Sequence, residues 1–261
     1  MLRNCFMKAA FLFGIAAVLH VAALAQDGGV LNPASTRGPN PLMTGVFVTP
    51  VPNAPFSATA QLQSTRALQD GTTENFKTIN NIARDSGGRI YNEHRQLVPA
   101  NLTGTPQLLS SHIYDPETRR NTFLNPMQHI ARQSTLQGPG PDWGQIPTLP
   151  ILPAGNNRNP NVRQEDLGTQ VMENLVVHGK RVIRTVPAAV SGTGQPLVIT
   201  DEYWYSDDLH LNMLIKHNDP RTGEQTLTIT QLKRGDPDPQ LFKVPSDFKL
   251  VDETPGTEAN N

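Results

Sequence analysis

The chain has 261 residues, 37% of them hydrophobic, with 22 basic and 23 acidic side chains and a single cysteine. A balance this close to neutral excludes a phosphate-tracking surface, and no basic patch interleaves with aromatics, so nucleic acid is not an expected partner. One cysteine excludes an internal disulfide framework and a thiolate metal site.

The amino terminus predicts export. Arg3 and Lys8 form a positive start, Ala9 to Ala22 an apolar run, and Ala23-Leu24-Ala25 a small-x-small cleavage box with the cut expected between Ala25 and Gln26. The rival reading, a permanent anchor, needs about 20 apolar residues, and this run is shorter. Cys5 precedes the run instead of following it, which argues against lipid anchoring. Residues 1–25 thus read as a signal peptide. Removing them leaves no thiol, 20 basic and 23 acidic residues. The product is expected in the periplasm or outside the cell, with no transmembrane segment.

Residues 26–55 are rich in Gly, Pro, Asn and Thr and read as an extended, partly disordered arm whose removal leaves the fold intact. Val46, Phe47 and Val48 form an apolar exception suited to a sheet edge. From Phe56 the pattern changes: Phe56, Ala58, Ala60 and Leu62 alternate with polar residues, the period of a half-buried strand. Asp70-Gly71 predicts a hairpin turn, and Thr72 to Ala83 the return strand. Spacing by three at Phe76, Ile79 and Ile82 leaves a helix open there, although the threonines and asparagines disfavour it. Strands are expected over Arg89 to Val98 and Leu108 to Tyr114, then a shorter one through Leu124. Two turns share one chemistry, Asp115-Pro116-Glu117-Thr118 and Asp219-Pro220-Arg221-Thr222.

Asn125-Pro126 predicts a helix cap followed by a short helix to about Gln137. Residues 138–162 make a long Pro-rich loop whose Trp143, Ile146 and Leu149 are too apolar for a free linker, so it is expected to cover a sheet face. Leu167 to Val186 carries two strands, turning near Glu173-Asn174 or His178-Gly179. Leu197 to Tyr205, Leu209 to Asn218 and Gln225 to Leu232 form a three-strand meander. One helical turn is expected within Asp236 to Phe242. The fold class that follows is mainly β: a curved antiparallel sheet or incomplete barrel over residues 56–251, with a Pro-rich covering loop, one or two short helices and a disordered tail at 252–261.

The stretch DEYWYSDDLHLNMLIKHNDPRTGE, Asp201 to Glu224, holds six acids and two histidines and resembles an active site in composition. Period-two geometry argues otherwise. Asp201, Tyr203 and Tyr205 share one face, Glu202 and Trp204 the other, so Asp201 and Glu202 do not serve one substrate bond. His210 and His217 likewise diverge unless a bulge intervenes. The other histidines form no H-x-H or H-x-x-x-H pair, so no metal is expected. No G-x-S-x-G or phosphate-binding loop occurs, and Ser191-Gly192-Thr193-Gly194 lacks the context of either. No catalytic residue and no cofactor are assigned. An apolar lid over an open sheet suggests a ligand site formed by Trp143, Ile146 and Leu149 with Tyr203, Trp204 and Tyr205.

Several segments, PFSATAQLQSTRALQDGTT, ARDSGGRIYNEHR, IYDPETRRN and DPDPQLFKVPSDFKLV among them, resemble uncharacterised secreted proteins common in Acidobacteria. That resemblance runs from Pro55 to Val251 and implies export without an activity. More remotely, the terminal P-D-P-x-x-F-x-V-P and the long β meander are similar to the lipoprotein-carrier class, which includes the outer-membrane lipoprotein carrier and the periplasmic sigma-regulator sensor. That class implies an open curved sheet that holds acyl chains; no position here matches its binding residues by motif. The expected function is therefore non-enzymatic binding of a lipid-like apolar ligand, or of an envelope partner through a sheet edge. Two alternatives stand: an envelope hydrolase built near Glu202, Asp208 and His210, and a purely structural envelope component.

Overall fold

The computed structural model describes residues 48–68, 70–137 and 159–254. The expected signal peptide with its Ala25–Gln26 cut, most of the arm, most of the loop 138–162 and the end of the tail lie outside the described residues.

Alternating apolar residues drive the chain into one sheet of thirteen strands. They are β1 (Phe56–Ala67), β2 (Thr73–Arg84), β3 (Ile90–Arg95), β4 (Val98–Pro99), β5 (Leu108–Asp115), β6 (Arg120–Asn125), β7 (Ile130–Thr135), β8 (Val162–Met172), β9 (Leu175–Val186), β10 (Leu197–Ser206), β11 (Leu211–Asp219), β12 (Gly223–Arg234) and β13 (Lys249–Asp252). The spatial order is β13-β7-β6-β5-β3-β2-β1-β12-β11-β10-β9-β8, with β4 added to β2. The sheet does not close into a barrel: β8 and β13 end it. Neighbours are antiparallel except β13, which runs parallel to β7. Helical structure among the described residues is confined to two 3-10 turns, Ala188–Val190 and Pro239–Phe242.

Residues opposite each other in an antiparallel pair share a face, so the register sorts the side chains. On the first face Phe56, Ala58, Ala60 and Leu62 of β1 meet Ile82 of β2 and Leu227 and Ile229 of β12. Val48 and Ala54, which precede β1, fill the same core. Arg84 holds them there: its guanidinium donates to the carbonyls of Ala54 (2.9 Å), Thr49 (2.7 Å) and Leu209 (2.6 Å). The only part of the expected arm that is described is therefore packed into the core.

On the second face Ala83, Tyr91, Ile113, Leu124 and Ala131 of β2–β7 form a separate apolar cluster. The carboxy-terminal segment covers it with Leu241, Phe242, Val244 and Phe248 before β13 docks on β7. Neighbouring residues Ile90 and Tyr91 thus serve opposite cores.

One expected element is corrected. The helix predicted after Asn125 is a turn and a strand: Asn125 Oδ1 accepts from the amides of Met127 (3.0 Å) and Gln128 (3.1 Å), and His129 adopts φ 49°. The side chain expected to cap a helix closes a tight turn instead, and Ile130 returns opposite Asn125. The repeated turn chemistry holds. Asp115 Oδ1 accepts from the amide of Glu117 and Asp219 Oδ1 from that of Arg221, both at 2.9 Å. Each turn ends four residues after its Asp in a left-handed residue, Arg119 (φ 57°) and Gly223 (φ 98°).

Candidate functional site

Strand β10 carries the start of the acidic stretch and sends its first two acids to opposite faces. Asp201 lies opposite His217 of β11 on the first face. Its Oδ1 is 2.7 Å from His217 Nδ1, and Arg184 of β9 donates to its Oδ2 at 2.5 Å. This acid–imidazole contact resembles the orienting half of a general base. Asp201 is 5% exposed and His217 7%, so solvent and substrate are kept out. Asp219, at the end of β11, is held by Arg221, whose hydrogen bonds keep its carboxyl below the ordinary carboxylate range. Burial pushes the neighbouring Tyr203 hydroxyl up to about 12, with the Asp201 charge adding to the effect.

Glu202 belongs to the second face. Its Oε1 accepts from the Trp204 indole N–H at 2.7 Å and its Oε2 from Arg181 at 2.8 Å, with Lys216 Nζ 3.9 Å away. Burial by itself would raise this carboxyl; the bonds from Trp204 and Arg181 and the nearby Lys216 outweigh it, so Glu202 sits below its ordinary range and is ionised. A carboxylate so held is a poor general acid.

Register extends Glu202 into a row. Glu165 of β8, Arg181 of β9, Glu202 of β10 and Lys216 of β11 stand opposite one another in sequence across four strands. Thr226 of β12, Gln63 of β1 and Lys77 of β2 continue it. Beside this ladder lies a groove of about 720 Å³ across β8–β12. Its walls carry Arg163, Thr200, Asn218 and Glu224, with Ile183 and Val198 as apolar contacts. The β8 edge borders it, unpaired on its outer side among the described residues.

The structure places the expected ligand residues on different surfaces. Tyr203 and Tyr205 sit with Asp201; Tyr205 is 5% exposed, its hydroxyl 3.4 Å from His210 Nδ1. Trp204 points to the second face, its ring flat on β9 where Gly179 leaves room. Trp143, Ile146 and Leu149 lie outside the described residues. The hydrolase residues are held by separate partners: Glu202 by Trp204 and Arg181, Asp208 by Arg234 (3.4 Å) and His210 by Tyr205. About 13 Å of strand separates Glu202 from the end of β10 that leads to the other two. Among the described residues no group of three or more His, Cys, Asp or Glu gathers as a metal set, and no helix is long and apolar enough to cross a membrane.

The groove cations Arg163, Arg181 and Lys216, and the acids Glu165 and Glu224, were not singled out by the sequence. The signal that marks them is cross-strand register, which depends on one bulge in each of the β8–β9 and β10–β11 pairs.

No family model and no curated protein matches this chain. Among solved structures it is similar to an uncharacterized conserved protein from Thermus thermophilus, at 11% identity and a TM-score of 0.38, covering 77% of this chain and 91% of that one. It is similar to MucB of the Pseudomonas aeruginosa MucA/MucB complex at 12% identity and a TM-score of 0.38, covering 76% of this chain and 58% of that one. A LolA superfamily protein, NE2245 from Nitrosomonas europaea, follows at 13% identity and a TM-score of 0.27, covering 74% and 91%. The chain thus spans somewhat over half of that MucB chain. Likeness at this level carries no function across, and the chain's own residues bear the reading that follows.

Proposed function

We propose that this chain is an exported, non-enzymatic binding protein of the cell envelope, and that the polar half of its second face, beside the β8 edge that is unpaired among the described residues, receives a protein partner. The observation that carries this is the groove of about 720 Å³ on β8–β12, a size typical of binding sites, whose floor is an ion ladder already neutralised from within. Such a floor presents hydrogen-bonding groups, and its carboxylates Glu165 and Glu202 are both held in ion pairs. An apolar ligand fits this groove less well. Hydrocarbon laid over it would strip water from up to six charged side chains without returning a hydrogen bond. A protein partner supplies both signs of charge, and an extended segment of it would find the backbone groups of the β8 edge.

Photo-crosslinking in the host tests this. Benzoylphenylalanine at Thr200, inside the groove, is expected to yield a discrete protein adduct, and the same residue at exposed Gln128 of the β6–β7 turn is not. Adducts of lipid mass alone, or no adduct at Thr200, would remove the partner reading. Equal adducts at both positions would favour a structural component instead.

A further inference from the structure

A second cavity, of about 370 Å³, lies on the same face of the sheet but outside the groove. Its floor is built by β1, β2 and β12: Thr59 stands between Asn81 and Thr230, and Gln61 lies opposite Ile79. Arg95 of β3 and Thr105 of the connection 100–107 complete the lining. Two pairing slips shape it. The β1–β12 ladder shifts between Ser57 and Thr59, and Gln231, in the extra stretch of β12, adopts a left-handed φ of 55°. The β3–β5 ladder shifts between His94 and Arg95. Bulges of this kind re-aim side chains beside binding sites.

Arg95 is largely buried, its side chain 16% exposed. Its Nε donates to Glu93 at 2.7 Å and its Nη1 to the Pro106 carbonyl at 3.0 Å, which pins the connection that carries Thr105. Burial alone would raise the Glu93 carboxyl; the bonds from Arg95 and Asn81 outweigh it, so Glu93 is ionised and cancels the guanidinium charge. Gln231 Oε1 accepts from the Thr59 hydroxyl at 3.2 Å. Arg95 Nη2, Gln231 Nε2 and the Gln61 amide make no hydrogen bond to another described residue.

We infer that this cavity binds one uncharged sugar ring, whose hydroxyls meet Arg95 and the amides of Gln61 and Gln231. Side-chain amides and hydroxyls together donate and accept, as a sugar's hydroxyls require of their partners. The volume lies at the small end of ligand pockets, which run from about 300 to 1,000 Å³, and suits a single ring. A hydrocarbon tail would strand the polar groups, since Ile79 is the one aliphatic side chain among the described lining residues. An anion gains little where Glu93 already neutralises Arg95. An extended peptide finds no backbone to pair with, because β1, β2, β3 and β12 each have strands on both sides. The site is separate from the groove and does not rest on the partner reading.

Heteronuclear NMR titration of the full chain with glucose, galactose and mannose tests the inference. At least one hexose is expected to shift the side-chain amide signals of Gln61 and Gln231 to saturation and to leave Asn218, in the groove, unmoved. The uronate and amino derivatives of that hexose should bind at least roughly fivefold more weakly, because the cavity offers neither charge a partner. Gln61→Met and Thr105→Val remove hydrogen-bonding groups at similar size, and each should weaken binding roughly fivefold; Thr200→Val should change nothing. Unchanged melting curves would establish that the variants fold. No saturable shift with any of the three hexoses, equal binding of the charged derivatives, or unchanged affinity in both cavity variants would overturn the inference. A methyl glycoside that binds like the free hexose would assign the site to a glycan end, and one that does not bind would assign it to a free sugar; both outcomes uphold a sugar-ring site.

Discussion

Arg84 is fully buried with no carboxylate in ion-pair distance among the described residues, and burial lowers its pKa to about 10. Three backbone carbonyls and the Phe56 ring, 5.0 Å away, carry its charge instead. A planar fork is needed to reach three acceptors in different directions, and an ammonium does not reproduce it. Arg84→Lys is therefore expected to cost about 2–4 kcal/mol in urea denaturation, since buried acceptors lose their donors. The arm reading from sequence treated residues 26–55 as dispensable; because Val48–Pro55 is clamped by this residue, its deletion is expected to destabilise the fold. The four tyrosines give a second handle. Burial raises Tyr91 and Tyr114, and pushes Tyr203 and Tyr205 up to about 12. A phenol whose folded pKa is raised contributes stability that is complete below its unfolded value near 10 and is lost as pH climbs towards the folded one. Absorbance at alkaline pH should show little tyrosinate until the chain unfolds; free titration near pH 10 in the folded protein would contradict the burial.

At the scale of elements, Gly179 of β9 decides how Trp204 sits. A Cβ there would lie 2.6 Å from the Trp204 ring, so Gly179→Ala must lift the indole and strain its bond to Glu202. A loss of about 1–3 kcal/mol and a red-shifted Trp204 emission are expected; an unshifted spectrum would mean the ring rests elsewhere. The strands themselves were legible because period-two burial is local: β1 and β2, and the divergence of Asp201 from Glu202, follow from adjacent residues. The site was not legible, because it depends on register. In β10–β11 the turn sets Ser206 opposite Leu211, and a bulge at Met213 then moves Asp201 opposite His217 and Glu202 opposite Lys216. Unbulged, Asp201 would face Lys216. In β8–β9 the slip between Asp166 and Gly168 likewise brings Glu165 opposite Arg181 instead of Val182. One residue in each hairpin thus makes the ladder, and no pattern in either strand announces it. The false helix after Asn125 has a different cause: a capping residue and a turn residue use the same side-chain acceptor.

For the whole molecule, the consequence is an asymmetric sheet. The β2–β7 half carries on its second face an apolar cluster that the carboxy-terminal segment covers, while the first-face core is centred on β1 and β12, where the 48–55 segment packs. The β8–β12 half keeps a polar second face with a groove beside a β8 edge that is unpaired among the described residues, and the proposed partner site lies there. The partner site proposed here follows from that division of one strand between two surfaces. The most direct measurement is thiol reactivity along β10 in the chain from Gln26 onward, which has no native cysteine. Single cysteines replace Val198, Ile199 and Thr200, which are 49% exposed, 7% exposed and intermediate. Maleimide should label positions 198 and 200 quickly and 199 slowly. Equal labelling of all three, or fastest labelling at 199, would contradict the account.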